Sequence, residues 1–230
     1  MNTKSDGIFP KRQYLPVFRG AALVCAAAAA GALLTGCGQD TGGEATRSGA
    51  AEAARIAAAS SSPPADASHL TEDQRERKAL VPRAKTGYEH ALHAATAAVA
   101  KSEPVSVELK GTPDSPRWEA EVATDDGTAH TVSVDAAGGK AGEARAKHED
   151  DDDKRELADL LKKATVTAEQ AARTATDKTK GTVTAVELDD TDGGTPKWSV
   201  DVVTTDDWNK TTYDIDATNR KILGEHVDRD

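Results

Sequence analysis

The sequence predicts an α+β fold built as two tandem repeats, each a helix with a short preceding helix packed on a three-stranded antiparallel sheet. Three observations lead there. The first is a strand pattern that occurs twice. V-E-L at Val107 to Leu109, R-W-E-A-E-V at Arg117 to Val122 and T-V-S-V-D at Thr131 to Asp135 have later counterparts: V-E-L from Val186, K-W-S-V-D-V-V from Lys197 and T-T-Y-D-I-D from Thr211. Val107 maps to Val186, Trp118 to Trp198 and Val134 to Ile215, offsets of 79, 80 and 81 residues. A near-constant period marks a repeated structural unit. The second is strict alternation of apolar and polar residues within those segments, the mark of a sheet with one covered face. The third is a helical signal ahead of each group of strands.

The elements follow in chain order. Residues 1–36 read as an address. Lys4, Lys11, Arg12 and Arg19 precede an apolar run from Ala21 to Leu34, too short to span a bilayer but suited to a signal-peptide core. Leu34-Thr35-Gly36-Cys37 resembles a bacterial lipobox, which makes Cys37 the expected lipidated first residue of the mature chain. Residues 37–69 are rich in Ala, Gly, Ser and Thr and contain Pro63-Pro64. They have too few large apolar residues to fold and read as a tether.

Residues 70–147 form the expected first repeat. Thr71-x-x-Gln74 opens a short charged helix, and Thr86-x-x-Glu89 reads as a capping box ahead of a helix with Tyr88, Leu92, Ala95 and Val99 at helical spacing. The faces of three strands follow: Val105, Val107 and Leu109, then Trp118, Ala120 and Val122, then His130, Val132 and Val134. Asp125-Asp126-Gly127 is the turn between the second and third. Residues 148–153, His-Glu and four aspartates, read as an acidic linker, because like charges repel and keep a chain extended.

Residues 154–230 repeat the order. Leu157, Leu160 and Leu161 make one stripe of a short helix. Thr167-x-x-Gln170 caps a helix whose face is Ala168, Ala171, Ala172 and Ala175, with Gly181 as its stop signal. Strands are expected over 182–188, 197–204 and 211–216, with Asp192-Gly193-Gly194 turning the first hairpin.

Composition narrows the function. The chain has 230 residues and a formal net charge of -10, and aromatics make up 3% of it. The acidic balance argues against nucleic acid, whose phosphates need a basic patch. The two cysteines, Cys25 and Cys37, both lie near the N-terminus, so the body has no thiol for catalysis, zinc or a disulfide. There is no G-x-S-x-G and no phosphate-cradling glycine loop. Glu89-His90-x-x-His93 lacks the order and spacing of a metalloprotease helix. No catalytic residue, metal ligand or cofactor is expected. Trp208, in the turn Asp206-Asp207-Trp208-Asn209, stands out as an exposed aromatic suited to contact a partner.

An Ala-faced helix followed by V-T-A-V-E-L, a D-G-G turn, K-W-S-V-D-V and Y-D-I-D-A-x-x-x-K-I resembles the PepSY domain, most clearly over Val166 to Gly224 and in more divergent form over Lys85 to Ala141. The resemblance implies an extracytoplasmic module that restrains or modulates peptidases and brings no catalytic residues of its own. The expected protein is therefore a non-enzymatic lipoprotein. It would be anchored through Cys37 at the outer face of the cytoplasmic membrane and bind a peptidase or another envelope protein. The alternative is a cell-wall-facing cation or ligand sensor using its acidic surface.

Overall fold

A computed structural model describes residues 70–229. The signal segment, Cys37 and the tether lie outside the described residues. Four helices and eight strands follow in the order α1 (Glu72–Leu80), a 3-10 turn (Val81–Arg83), α2 (Tyr88–Ala98), β1 (Ser102–Thr112), β2 (Ser115–Thr124), β3 (Ala129–Asp135), β4 (Arg145–Ala146), α3 (Asp151–Lys163), α4 (Ala168–Lys178), β5 (Thr182–Asp190), β6 (Pro196–Val203), β7 (Lys210–Asp216) and β8 (Ile222–Asp228). Among the described residues, buried apolar side chains form one continuous core cluster.

The strands form a single antiparallel sheet in the order β4-β3-β2-β1-β5-β6-β7-β8. The three-stranded layout expected from the alternation is therefore incomplete, for two reasons. Each strand group gains a fourth strand, and the two groups fuse. β4 is only two residues long, and β8 alternates poorly (half-buried and exposed positions throughout), so neither shows the periodic signal that marks the other strands. Backbone pairing with β7 makes β8 a strand. The fusion is the pairing of β1 with β5, in which Val107 faces Val186. These two valines are also the residues that correspond across the period, so an approximate two-fold axis passes between them.

Equivalent details recur on either side of that axis. Trp118 Nε1 donates to the Thr86 carbonyl at 2.9 Å, and Trp198 Nε1 to the Val166 carbonyl at 2.7 Å. The amides of Lys85 and Thr86 donate to the Ala136 carbonyl, as those of Thr165 and Val166 do to Ala217. β1 is bulged between Pro104 and Ser106, and β5 between Val183 and Ala185. α2 buries Ala91, Leu92 and Ala95, while α4 buries Ala168, Ala171, Ala172 and Ala175. Small residues let both helices lie close on the sheet, and one continuous apolar core runs beneath them.

The short helices cross over. α1 packs on the far half: Gln74 Nε2 donates to Asn209 at 2.9 Å, and Arg77 donates to the Trp208 carbonyl at 3.1 Å and to Asp228 at 2.6 Å. α3 reaches the near half, where a Cβ on Gly127 would sit 1.8 Å from the Lys154 carbonyl oxygen. The acidic stretch expected as a linker instead starts α3. Asp150 accepts hydrogen bonds from the amides of Asp152 and Asp153, and Asp151 to Asp153 form the first turn. Carboxylates are favoured there because the helix N-terminus is the positive end of its dipole, which offsets their mutual repulsion.

Two terminator readings also change. The capping boxes at Thr71 and Thr167 form, but the one read at Thr86 does not. Gly87 is the N-cap of α2, with no side-chain cap, and the Thr86 hydroxyl donates to the Ala136 carbonyl. Gly181 is not the cap of α4 either; Thr179 is, in extended conformation. Glycine is needed at 181 because a Cβ there would stand 2.5 Å from the Val203 carbonyl oxygen. Gly87 itself has φ -83° and ψ 171°, and a Cβ on it would meet nothing within 4 Å. Gly87→Thr is thus expected to stabilise the fold by about 0.5–1 kcal/mol, through a new cap and a less free unfolded chain. Thermal denaturation should show a rise of about 1–4 °C.

Candidate functional site

The helix-free face of the sheet is polar and largely self-neutralised. Lys110 contacts Glu108 and Glu119 at 3.1 Å each, and Lys197 contacts Asp189 at 3.1 Å and Asp214 at 3.2 Å. Burial works against the charge on Lys197, but Asp189 and Asp214 outweigh it, and the ammonium holds its proton more tightly than usual. The same balance holds for Lys147 beside Glu121 and Glu149. Close to the two-fold axis, Glu187 is held above its ordinary range, first by partial desolvation and then by Asp189 and Glu108. Its charged form is therefore less favourable in the folded chain than in the unfolded one. That cost is present at neutral pH and disappears as acidification passes the raised folded value and then the unfolded one, near ~4.3. Glu187→Gln should stabilise at pH 7 by under about 1 kcal/mol, since the position stays open to water. Urea titrations at pH 7 and pH 4 should show the gain vanish at the lower pH.

Between the helices lies a cleft of about 420 Å³. Leu92, Leu161, Val166, Ala168 and Trp198 give it an apolar floor, and His93, Glu103 and Glu169 stand at its rim. Each element is placed by the fold just described. α2 supplies Leu92 and His93, the start of β1 supplies Glu103, β6 supplies Trp198, and the end of α3, the α3–α4 junction and the start of α4 supply Leu161, Val166, Ala168 and Glu169.

The corresponding helix starts differ in side-chain size. The first residue after the N-cap is Tyr88 in α2 and Ala168 in α4. The Tyr88 ring is half-buried and packs on the core, and its hydroxyl donates to Glu89 Oε1 at 3.2 Å. Its proton is held tightly, first by desolvation and then by Glu89, with Glu169 and Arg173 of α4 also in its field. The corresponding residue of α4 is Ala168, whose methyl group is itself buried.

The residues singled out from sequence are placed as follows. Cys37 lies outside the described residues. Trp208 is half-buried rather than exposed; it packs against the core, and its carbonyl accepts from Arg77. It stands in the left-handed region at φ 59°, the place that Gly127 takes at φ 81° in the equivalent turn. His90 binds the Gly139 carbonyl at 3.0 Å, whereas His93 points to the cleft, so the helix does not bring the two together. Among the described residues, no three His, Cys, Asp or Glu groups are placed to hold a metal ion, and no helix is long and apolar enough to cross a membrane. Sequence reasoning missed the cleft, because its lining comes from five elements that no local pattern brings together.

Residues 165–226 match the family model for the peptidase propeptide and YPEB domain, PepSY. This agrees with the resemblance read over Val166 to Gly224. Among solved structures, the chain is similar to a candidate lipoprotein from Clostridium difficile 630, at 18% identity over 63% of this chain and 94% of that one, with a TM-score of 0.41. It is also similar to the YpmB protein from Bacillus subtilis, at 18% identity over 63% of this chain and 100% of that one, with a TM-score of 0.27. Both likenesses are too distant to carry functional weight. No curated protein matches the chain.

Proposed function

We propose that this chain, whose residues 165–226 form a PepSY domain, is a non-enzymatic lipoprotein at the outer face of the cytoplasmic membrane that binds a peptidase or another envelope protein. Cys37 carries the anchor, and residues 37–69 tether the folded unit above the bilayer. The PepSY match is the observation that carries this reading, and the basic leader with its lipobox supports the location. We infer as well that residues 70–147 are a diverged copy of the same module. The paired tryptophan and alanine-carbonyl hydrogen bonds and the matching bulges support the duplication.

Binding is steric and needs no chemistry from this chain. β8 is a seven-residue edge strand which, among the described residues, pairs with β7 alone, and it carries the half-exposed Leu223. Such an edge offers free backbone groups for a partner strand. A cation sensor finds less support, since the Asp150 carboxylate already caps α3.

A pull-down from envelope extract with the mature chain tests the binding. Recovery of a specific peptidase or envelope protein is expected, and recovery of none at ordinary stringency would sink the reading. The mass of the membrane-extracted protein tests the anchor, which predicts cleavage before Cys37 and an added lipid, both lost in Cys37→Ser.

A further inference from the structure

The first helix is fastened to the body in a different way from the other three. We propose that α1 is a clasp, which undocks as a unit from the β6–β7 turn and the end of β8 while the core beneath α2 and α4 stays folded. This goes beyond the binding reading above and does not need it.

The argument starts from what α1 buries. Gln74 is its one buried residue, so no apolar side chain of the helix is fully covered. α3, which crosses to the other half, buries Ala158 and Leu161, while α2 buries three apolar residues and α4 four. α1 is held instead by donors set on acceptors. The Gln74 side-chain amide donates to Asn209 Oδ1 at 2.9 Å and to the Arg229 carbonyl at 3.4 Å. The Arg77 guanidinium donates to the Trp208 carbonyl at 3.1 Å and to Asp228 at 2.6 Å. All four acceptors belong to half-buried or exposed residues of the turn and the strand end. Opening therefore replaces each bond by one to water, at a small net cost per bond. The Arg77 and Asp228 side chains are 13% and 23% exposed. Opening rehydrates both charges, which offsets the attraction that it breaks. Segments with few buried apolar contacts are the ones that open below the global unfolding free energy.

The chain on either side of α1 suits a clasp. At its C-terminal end, Leu80 is half-buried, and the next residue, Val81, sits in the core at the start of the 3-10 turn, with Pro82 behind it. The pivot is thus fixed at Leu80–Val81. At the other end, α1 starts two residues after the tether. A pull along the tether reaches α1 before any other described element. Opening frees the Asp228 carboxylate and the Arg229 carbonyl at the end of the β8 edge. That this lengthens a docking edge is the one consequence that rests on the binding reading.

Nine residues are too few to persist as a helix alone in water, so α1 loses its amide protection when it undocks. Native-state hydrogen exchange on the mature chain reads this with no partner present, so failure of the clasp and failure of the binding reading are separate results. The amides of residues 76–80 are expected to exchange at least about tenfold faster than the protected amides of α2 and α4. Arg77→Ala and, from the opposite side of the contact, Asp228→Asn should each speed them by a further factor of about five. Arg75→Ala, which removes the same charge from an exposed position of the same helix, should not. The proposal is overturned if α1 exchanges no faster than α2 and α4, if Asp228→Asn leaves its exchange unchanged, or if Arg75→Ala speeds it as much as Arg77→Ala does.

Discussion

Gly127→Ala is expected to destabilise the protein by about 3–5 kcal/mol, a large fraction of the stability of an ordinary domain. Two costs add. Gly127 has φ 81°, a conformation that costs an L-residue roughly 1–2 kcal/mol. The second cost is steric. The new methyl would stand 1.8 Å from the Lys154 carbonyl oxygen and 2.6 Å from its carbon, so the first turn of α3 must leave the β2–β3 turn. Trp208 shows that the backbone cost alone is tolerable, because it adopts φ 59° at the equivalent turn while carrying a full side chain. Gly194→Ala separates the terms. That glycine has φ 72°, but its nearest neighbour to an added Cβ is Asp190 Oδ2 at 4.0 Å, so only the conformational part, about 1–2 kcal/mol, should appear. Urea unfolding of both variants checks this. Equal losses would show that α3 does not depend on its contact with the turn.

Trp118→Ala is expected to cost about 3–5 kcal/mol, as removal of a buried tryptophan usually does. The side chain is 1% exposed, and it also satisfies the Thr86 carbonyl at the start of α2. The way the loss is distributed tests the architecture. The core is continuous beneath α2 and α4, β1 pairs with β5, and α1 is held by Asn209, Trp208 and Asp228 of the opposite half. Thermal or urea unfolding should therefore stay a single transition that moves as a whole to lower stability. Trp198→Ala, which removes the equivalent bond to Val166, should behave in the same way. A variant in which residues 154–229 unfold at the parental midpoint while the first half is lost would show two independent units.

Much of the fold was legible because the covered sheet face imposes a period of two on the chain. The strands over 105–109, 117–122, 131–135, 182–188, 197–204 and 211–216 all lie within observed strands or overrun one by a residue, and the helix over 168–178 matches α4. The elements that were missed lack that imprint. β8 sits at the sheet edge with few buried residues, so its sequence is free of alternation. The acidic run misled for a related reason. Charge repulsion is a local argument, whereas Asp150 is fixed by the amides of the helix it starts. At α2 the sequence places the cap one residue before the observed one, because a threonine with a glutamate three residues on looks the same whether its hydroxyl caps a helix or binds Ala136 across the fold.

The sequence by itself determined the composition of each half: which residues alternate, where the helices lie, and that the pattern occurs twice, because these follow from local periodicity and spacing. Only the tertiary structure decided that Val107 meets Val186, that the short helices cross to the opposite halves, and that a cleft lies between α2 and the α3–α4 junction. Those outcomes depend on contacts between residues from 27 positions apart, as Gly127 and Lys154 are, to 151 apart, as Arg77 and Asp228 are, and no local pattern records a contact whose two sides lie that far apart in the chain.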